Sequence, residues 1–252
     1  MPQRLPLVEP LFAAALLWAA RTYFACDQQV LSRKFRFVFR GLRTFEATGR
    51  WANFIRQSRL GLDVSGIALL LDQIHRPHYD RRFDAVRRAD FLIGHFRAIQ
   101  TKLSPGLYDR LVRDQHLYLG KIVGRQGATY EVRLALNSQF SKEGSICLCL
   151  LRNDEHLLTL ALSLGGQAGS AEGDQAVFIG CIQSTNREPR EQLRIATREL
   201  YGIQPRLLLM HALRAVANVW GIERIEGVAS ANHPYQQRPS DRDRVRIDYD
   251  AF

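Results

Sequence analysis

The rhythm of apolar and polar positions changes twice along the chain. Up to about residue 115 the apolar residues recur mostly at helical spacing, and the segment 1–60 reads as helices with basic punctuation. Asp63–Ile74 carries a short apolar helix closed by His75-Arg76-Pro77. Arg82–Leu103 is a long amphipathic helix, with Phe83, Val86, Ala89, Phe91 and Ile93 on its apolar face. Ser104-Pro105-Gly106 ends it, and a short amphipathic segment, Leu107–Gln115, follows. The run Leu31–Arg40 alternates aromatic and basic residues. It reads as a strand, as a basic amphipathic surface segment or, in the favoured reading, as an irregular helix whose arginine stems lie along apolar contacts.

From about residue 116 the period shortens to two. Leu117–Val123, Thr129–Ala135, Ser145–Leu151, His156–Leu164 and Ala176–Gln183 are β-rich runs divided by Gly, Asn, Asp and Ser punctuation, the pattern of an antiparallel meander. Arg152–Glu155 reads as a four-residue hairpin loop. Helical signals then return. Pro189 opens Arg190–Tyr201 and Gly202 closes it, while Pro205 opens Arg206–Trp220 and Gly221 stops it. Ile222–Ser230 is a final strand, and the tail from Arg238 to Arg246 reads as loop. A strand, a helical crossover and a strand usually return a parallel neighbour. The fold class is therefore α+β: a helical N-terminal third (1–115), then a mixed, mostly antiparallel sheet with a strand–helix–helix–strand C-terminal unit (116–252).

Composition and charge narrow the function classes. The 252 residues are 46% hydrophobic and 24% charged, ordinary for a globular protein and incompatible with a disordered or collagen-like chain. The formal net charge is +10, and since Lys34, Lys102, Lys121 and Lys142 are the only lysines, 31 of the 35 cationic residues are arginine. Arginine offers a planar fork for phosphate or carboxylate. The balance suits an anionic small molecule, a peptide carboxylate or an anionic membrane surface; nucleic acid is disfavoured because no nucleic-acid motif accompanies the charge. Cys26, Cys147, Cys149 and Cys181 lack zinc spacing and read as buried free thiols, which points to a reducing compartment. Leu11–Ala20 is apolar over ten residues, short of the roughly 20 that span a bilayer. Glu9, Tyr23 and Phe24 argue against a signal peptide, so the segment reads as a buried or membrane-surface helix. A cytoplasmic protein, peripheral at the inner membrane, is the expected location.

Three constellations can carry chemistry. Arg190, Arg194 and Arg198 stand at i, i+4 and i+8, and Arg206 follows beyond the Gly202–Pro205 turn, a set able to clamp an anion; a solvated face with Glu191 and Glu199 alongside is the plain alternative. The exit of the last strand, Ser230–Tyr235, offers His233 for proton transfer, with Tyr235 and Asn232 beside it. Asp248 and Asp250 could join His233 as metal ligands, and His75, His78, His95 and Glu143 could add to such a set if the fold gathers them. His211, within an apolar helical run, reads as packed core. Nucleotide-binding glycine motifs, HExxH and GxSxG are absent.

Spaced motifs over about residues 60–252 resemble the VirK/YbjX family of bacterial proteins. They are His75–Tyr79, Phe140–Gly144, Ile179–Gln183, Arg194–Arg198, Tyr201–Leu209, Gly227–His233 and Asp248–Phe252. Thr197-Arg198 and Tyr201 depart from the pattern, where Thr-Lys and His are usual, and similar proteins continue past the Asp-Tyr-Asp segment. The resemblance implies a link to bacterial virulence, envelope integrity and resistance to antimicrobial peptides, and brings no settled reaction or cofactor. A second likeness is to the GNAT acyltransferase core, through Leu207–Val219 and Gly221–Ile225; Gly202–Arg206 then stands where an acyl-CoA pyrophosphate is received. The glycine spacing of that loop is absent, and Pro205 lacks an amide donor. Three functions follow as expectations. The first is a transferase in which Arg194, Arg198, Gly202 and Arg206 hold an anionic donor or a peptide or envelope substrate, with His233 as catalyst and Tyr235 and Asn232 orienting. The second is a metal-dependent peptide-modifying enzyme using His233, Asp248 and Asp250. The third is a non-catalytic accessory protein on an anionic membrane.

Overall fold

A computed structural model describes residues 8–27, 29–58, 60, 62–136, 140–165, 175–184 and 189–237. The chain divides into two compact units, one of residues 1–78 with 82–93, the other of 79–81 with 94–252. The second unit thus takes in the later part of one long helix as well as the sheet.

The first unit is helical. Its elements are α1 (Val8–Ala25), α2 (Leu31–Arg43), α3 (Phe45–Ser58), α4 (Val64–Gln73) and the beginning of α5 (Ala85–Lys102). In α1, Ala15, Ala19 and Tyr23 recur every four residues and are buried, so the Leu11–Ala20 segment packs one face against α3 and α4. No described helix is long and apolar enough to cross a membrane. The crossing is close because Gly49 offers no side chain: a Cβ there would sit 2.7 Å from Phe12. Trp51 is buried and donates its indole N–H to the Leu70 carbonyl at 2.8 Å. Asp63 caps α4 through a 2.8 Å bond from the Gly66 N–H. The segment 31–40 is a regular helix, where the favoured reading of the sequence expected an irregular one. Its Phe37 ring stacks on Tyr23 at 4.2 Å.

The second unit is built on a six-stranded sheet in the order β1 to β6. The strands are β1 (His116–Val123), β2 (Thr129–Leu136), β3 (Ile146–Arg152), β4 (Glu155–Gly165), β5 (Ala176–Gln183) and β6 (Arg224–Gly227). Neighbours from β1 to β5 are antiparallel, and β6 is parallel to β5. The expected crossover is made by α7 (Pro189–Glu199) and α8 (Pro205–Val219); α6 (Pro105–Asp114) precedes β1. The α+β class and mixed, mostly antiparallel sheet stand as expected. Two details differ. The β3–β4 loop is two residues, Asn153 and Asp154, both left-handed at φ 49° and 63°, because a turn of that hand matches strand twist. The last strand is only four residues long, since the chain turns into a short 3₁₀ segment at Ser230–Asn232.

One face of the sheet is apolar. Leu148, Leu160, Leu162 and Val177 lie in a buried cluster with Ala196 and Leu200 from α7 and Leu209 and Leu213 from α8. Glu199 pins α7 at the edge of that layer. Its buried carboxylate accepts two bonds from Arg152, at 2.7 and 2.9 Å, and one from the Tyr130 hydroxyl. Such a fork satisfies the charge on site, so Glu199 is no part of a solvated arginine face. His211 is exposed rather than core. The buried positions of α8 are Pro205, Leu209, Leu213 and Ala217, and residue 211 falls on the opposite side of that stripe.

Candidate functional site

Four of the motif segments meet in the second unit, at β5. Strand β5 is irregular: its pairing with β4 shifts between Ala161 and Leu162, leaving Gly180 unpaired between Ile179 and Cys181. The bulge makes room for a backbone. A Cβ on Gly180 would lie 1.7 Å from the Glu143 carbonyl oxygen, and one on Gly144 would lie 2.5 Å from the Leu162 amide nitrogen. Glycine at both positions therefore lets the turn Phe140–Gly144 lie directly on β4 and β5.

That turn carries Glu143 inward. Glu143 is wholly buried, and neither carboxyl oxygen has a hydrogen-bond partner among the described residues. Burial pushes its pKa up to about 7; its own backbone amide and the Lys142 charge pull it only part of the way back. The buried Cys181 thiol is pushed well up, by burial first and by the nearby Glu143 charge second.

His233 reaches the same bulge from the other side of the sequence. It is fully buried, its ring is linked to the Gly180 backbone, and its Nδ1 accepts the Tyr235 N–H at 3.4 Å. Burial lowers its pKa to about 4, against which the Gly180 bond acts weakly. The imidazole is thus neutral at pH 7. Tyr235 stacks on it with centroids 5.7 Å apart, and the Lys142 ammonium lies 4.6 Å from the Tyr235 ring centre. Residues 79–81 complete the frame. The Tyr79 N–H donates to the Lys142 carbonyl at 2.7 Å, its ring meets Phe178 edge-on at 5.1 Å, and the Arg81 N–H donates to the Asn232 carbonyl at 2.9 Å. Tyr79 holds a left-handed φ of 58°, a costly conformation for an aromatic residue.

The sheet separates this cluster from the arginines. Cross-strand partners point to the same side, so Phe178 and Cys181 share a face with Ser163 and Ala161. Val177 and Ile182 point to the other face, the one covered by α7 and α8. Arg194 is exposed and paired with Glu191 at 2.7 Å, Arg198 is exposed, and Arg206 lies in the first turn of α8. Gly202 follows α7 at φ 90°, where it donates to the Thr197 carbonyl and ends the helix. No described contact joins any of these to His233. The grouping of Arg194, Arg198 and Arg206 with His233 in one cleft therefore gives way to a grouping of Glu143, His233, Tyr235, Lys142 and Tyr79. Asn232 stays with His233.

Asp248 and Asp250 lie outside the described residues, and among the described residues no three His, Cys, Asp or Glu side chains are grouped to hold a metal. His95 accepts the Leu164 N–H at 2.9 Å, and in the first unit His75 is half-buried with its ring edge to Phe37. All four cysteines are free, with the Cys147 and Cys149 sulfurs 3.5 Å apart on one face of β3. Hydrogen bonds from Cys147 and His156 lower the Cys149 thiol.

In the sequence Glu143 stands only among the residues that could add to a metal set, whereas His233 stands as the candidate for proton transfer. The available signal was glycine itself: Gly180 interrupts a strand of bulky residues, and Gly144 follows the acid.

Comparison with known proteins agrees with the motifs. The chain is 24% identical over 226 residues to "Uncharacterized protein YbjX" of Escherichia coli strain K12, covering 87% of this chain and 68% of that protein. It is 26% identical over 152 residues to "Membrane protein LapB" of Mannheimia haemolytica, covering 59% of this chain and 61% of that protein. It is 23% identical over 177 residues to a Haemophilus influenzae protein, of which it spans 56%. No solved structure matches the chain, so the GNAT likeness gains no support there. Residues 27–252 match the family described as "Protein of unknown function (DUF535)", and the chain belongs to that family, the VirK/YbjX family of bacterial proteins.

Proposed function

We propose that the protein is a group-transfer enzyme acting on a peptide or envelope substrate, with Glu143 as its acid–base residue. The observation that carries this reading is the buried Glu143 carboxyl, held without a described partner against the Gly180 bulge. A carboxyl placed there only for stability would be satisfied or replaced by an apolar group. An acid whose pKa sits near neutrality is suited to giving and taking a proton at the pH of the cell. In a transfer step Glu143 gives its proton to the leaving atom as the donor bond breaks, and regains one from the attacking nucleophile as the new bond forms. His233, neutral and fixed through Nδ1 and the Gly180 backbone, serves as a hydrogen-bonding and positioning residue. Lys142 and Tyr235 supply a cation beside an aromatic face for the substrate.

A second reading concerns the donor. The parallel pair β5–β6, joined by a helical crossover, has the connection expected of a GNAT-like transferase, and parallel strand ends favour ligand crevices. An acyl-CoA donor is the corresponding proposal, and calorimetric titration with acetyl-CoA tests it.

The acid–base reading is tested in the source bacterium. A strain lacking the gene is complemented with wild type, E143Q or H233Q, challenged with a cationic antimicrobial peptide, and its envelope fraction analysed by mass spectrometry. The expected result is a mass-shifted envelope species present with wild type and lost with E143Q, with protein levels unchanged. Identical spectra and full resistance in the E143Q strain would overturn the proposal.

A further inference from the structure

Helix α2 carries two apolar sides, and the first unit uses only one. Phe37 and Gly41 are buried against the neighbouring helices. At about 100° per residue, Leu31, Phe35, Val38, Phe39 and Leu42 fall in a separate arc about 100° wide, on the far side of the helix. Four of them are strongly exposed: Leu31 at 62%, Phe35 at 61%, Phe39 at 62% and Leu42 at 60%. Phe24 meets Phe35 edge-on at 6.0 Å, so a further aromatic ring borders the row. A soluble surface rarely leaves such a row uncovered.

The charge around the row identifies what covers it. Helix α2 holds Arg33, Lys34, Arg36, Arg40 and Arg43 and no acidic residue. Lys34 borders the apolar arc on one side; Arg36 and Arg43 border it on the other. Lys34 lies over the Phe24 ring and donates to the Phe24 carbonyl at 2.6 Å, and Arg43 lies over the Phe39 ring. Their stems thus run along the aromatic rim, as do those of cations that reach from an apolar layer towards phosphates. A second copy of the chain is a poor occupant. A two-fold pairing of this face would set cation rows close together with no anion between them.

We propose that α2 docks the protein on an anionic phospholipid bilayer, with Phe35, Phe39, Leu31 and Leu42 entering the headgroup–acyl boundary and the flanking cations engaging lipid phosphates. This does not rest on the acid–base reading of Glu143. It also moves the membrane-facing surface from the Leu11–Ala20 segment, much of which packs inside the first unit, to the next helix.

The test is co-sedimentation of the full chain with phosphatidylcholine vesicles with and without phosphatidylglycerol. Wild type is expected to bind the anionic vesicles at least tenfold more tightly and to be released by salt. R36Q/R43Q should weaken binding roughly tenfold or more, and F35D/F39D should abolish it with far-UV circular dichroism unchanged. Should the double Asp variant misfold, F39W provides the readout: its emission shifts to the blue on adding anionic vesicles. Equal or absent binding of wild type to the two vesicle types, or no blue shift, overturns the proposal. So does a concentration-dependent dimer that F35D/F39D dissolves, since the face would then belong to a second copy.

Discussion

Replacing Glu143 by glutamine removes one ionisable proton and keeps the side-chain shape. The folded carboxyl titrates at about 7 where an unburied one titrates at 4.5, with burial as the main cause. A folded-state pKa raised in this way means that, between those two values, the native protein keeps a proton the unfolded chain has released. Stability attributable to this group therefore falls as pH rises from 4.5 to about 7 and is flat outside that window. At about 1.4 kcal/mol per pH unit, the full cost is about 3 kcal/mol above pH 7. Glutamine carries no such cost. Urea unfolding of wild type and E143Q at pH 4.5, 6 and 8 gives the difference between them, and E143Q should gain about 3 kcal/mol on wild type across the series. His233 and His75, whose pKa values are lowered to about 4 and about 3, lose their contribution on the acid side. They are present in both proteins and cancel in the difference. Parallel pH profiles for the two proteins, within about 0.5 kcal/mol, would show that Glu143 is solvated or paired, and the reasoning about its chemistry would fail with it.

Two further perturbations probe the frame around that residue. G180A would place a methyl group 1.7 Å from the Glu143 carbonyl oxygen and should cost about 3 kcal/mol or more in urea unfolding, whereas G94A, in α5 with no atom within 4 Å of the new Cβ, should be stabilising by about 0.5–1 kcal/mol. E199A leaves the Arg152 guanidinium and the Tyr130 hydroxyl without their shared acceptor and should cost about 3–5 kcal/mol, a loss visible as a lowered melting temperature with no change in vesicle binding.

The sheet was legible because β2 to β5 alternate or run apolar between clear turn residues, and the helical crossover was legible because Pro189, Gly202, Pro205 and Gly221 punctuate it. Helix α2 was ambiguous for a physical reason. A helix with two apolar sides breaks the single-stripe pattern, and its aromatic–basic alternation mimics a strand. His211 was misplaced because Leu207, Leu208, Leu209 and Met210 form an apolar run, while the burial stripe takes every fourth position and leaves Leu207 half exposed. His233 stands out in the sequence as a strand-exit histidine, whereas the burial of Glu143 is not legible there, since it depends on two glycines distant from each other in the chain. The arginine stripe on α7 followed from spacing alone, and spacing says nothing about which side of a sheet a helix covers.

The order of the strands decides when, during synthesis, the Gly180 bulge can receive His233. Strands β1 to β5 pair with their sequence neighbours, so four antiparallel ladders form from contacts close in sequence as the chain emerges. The parallel partner β6 must wait for the whole α7–α8 segment, and His233 comes after β6. A nascent or truncated polypeptide can hold a nearly complete sheet and still lack the imidazole beside Gly180. The burial of His233 at the bulge thus comes after the antiparallel part of the sheet has been synthesised.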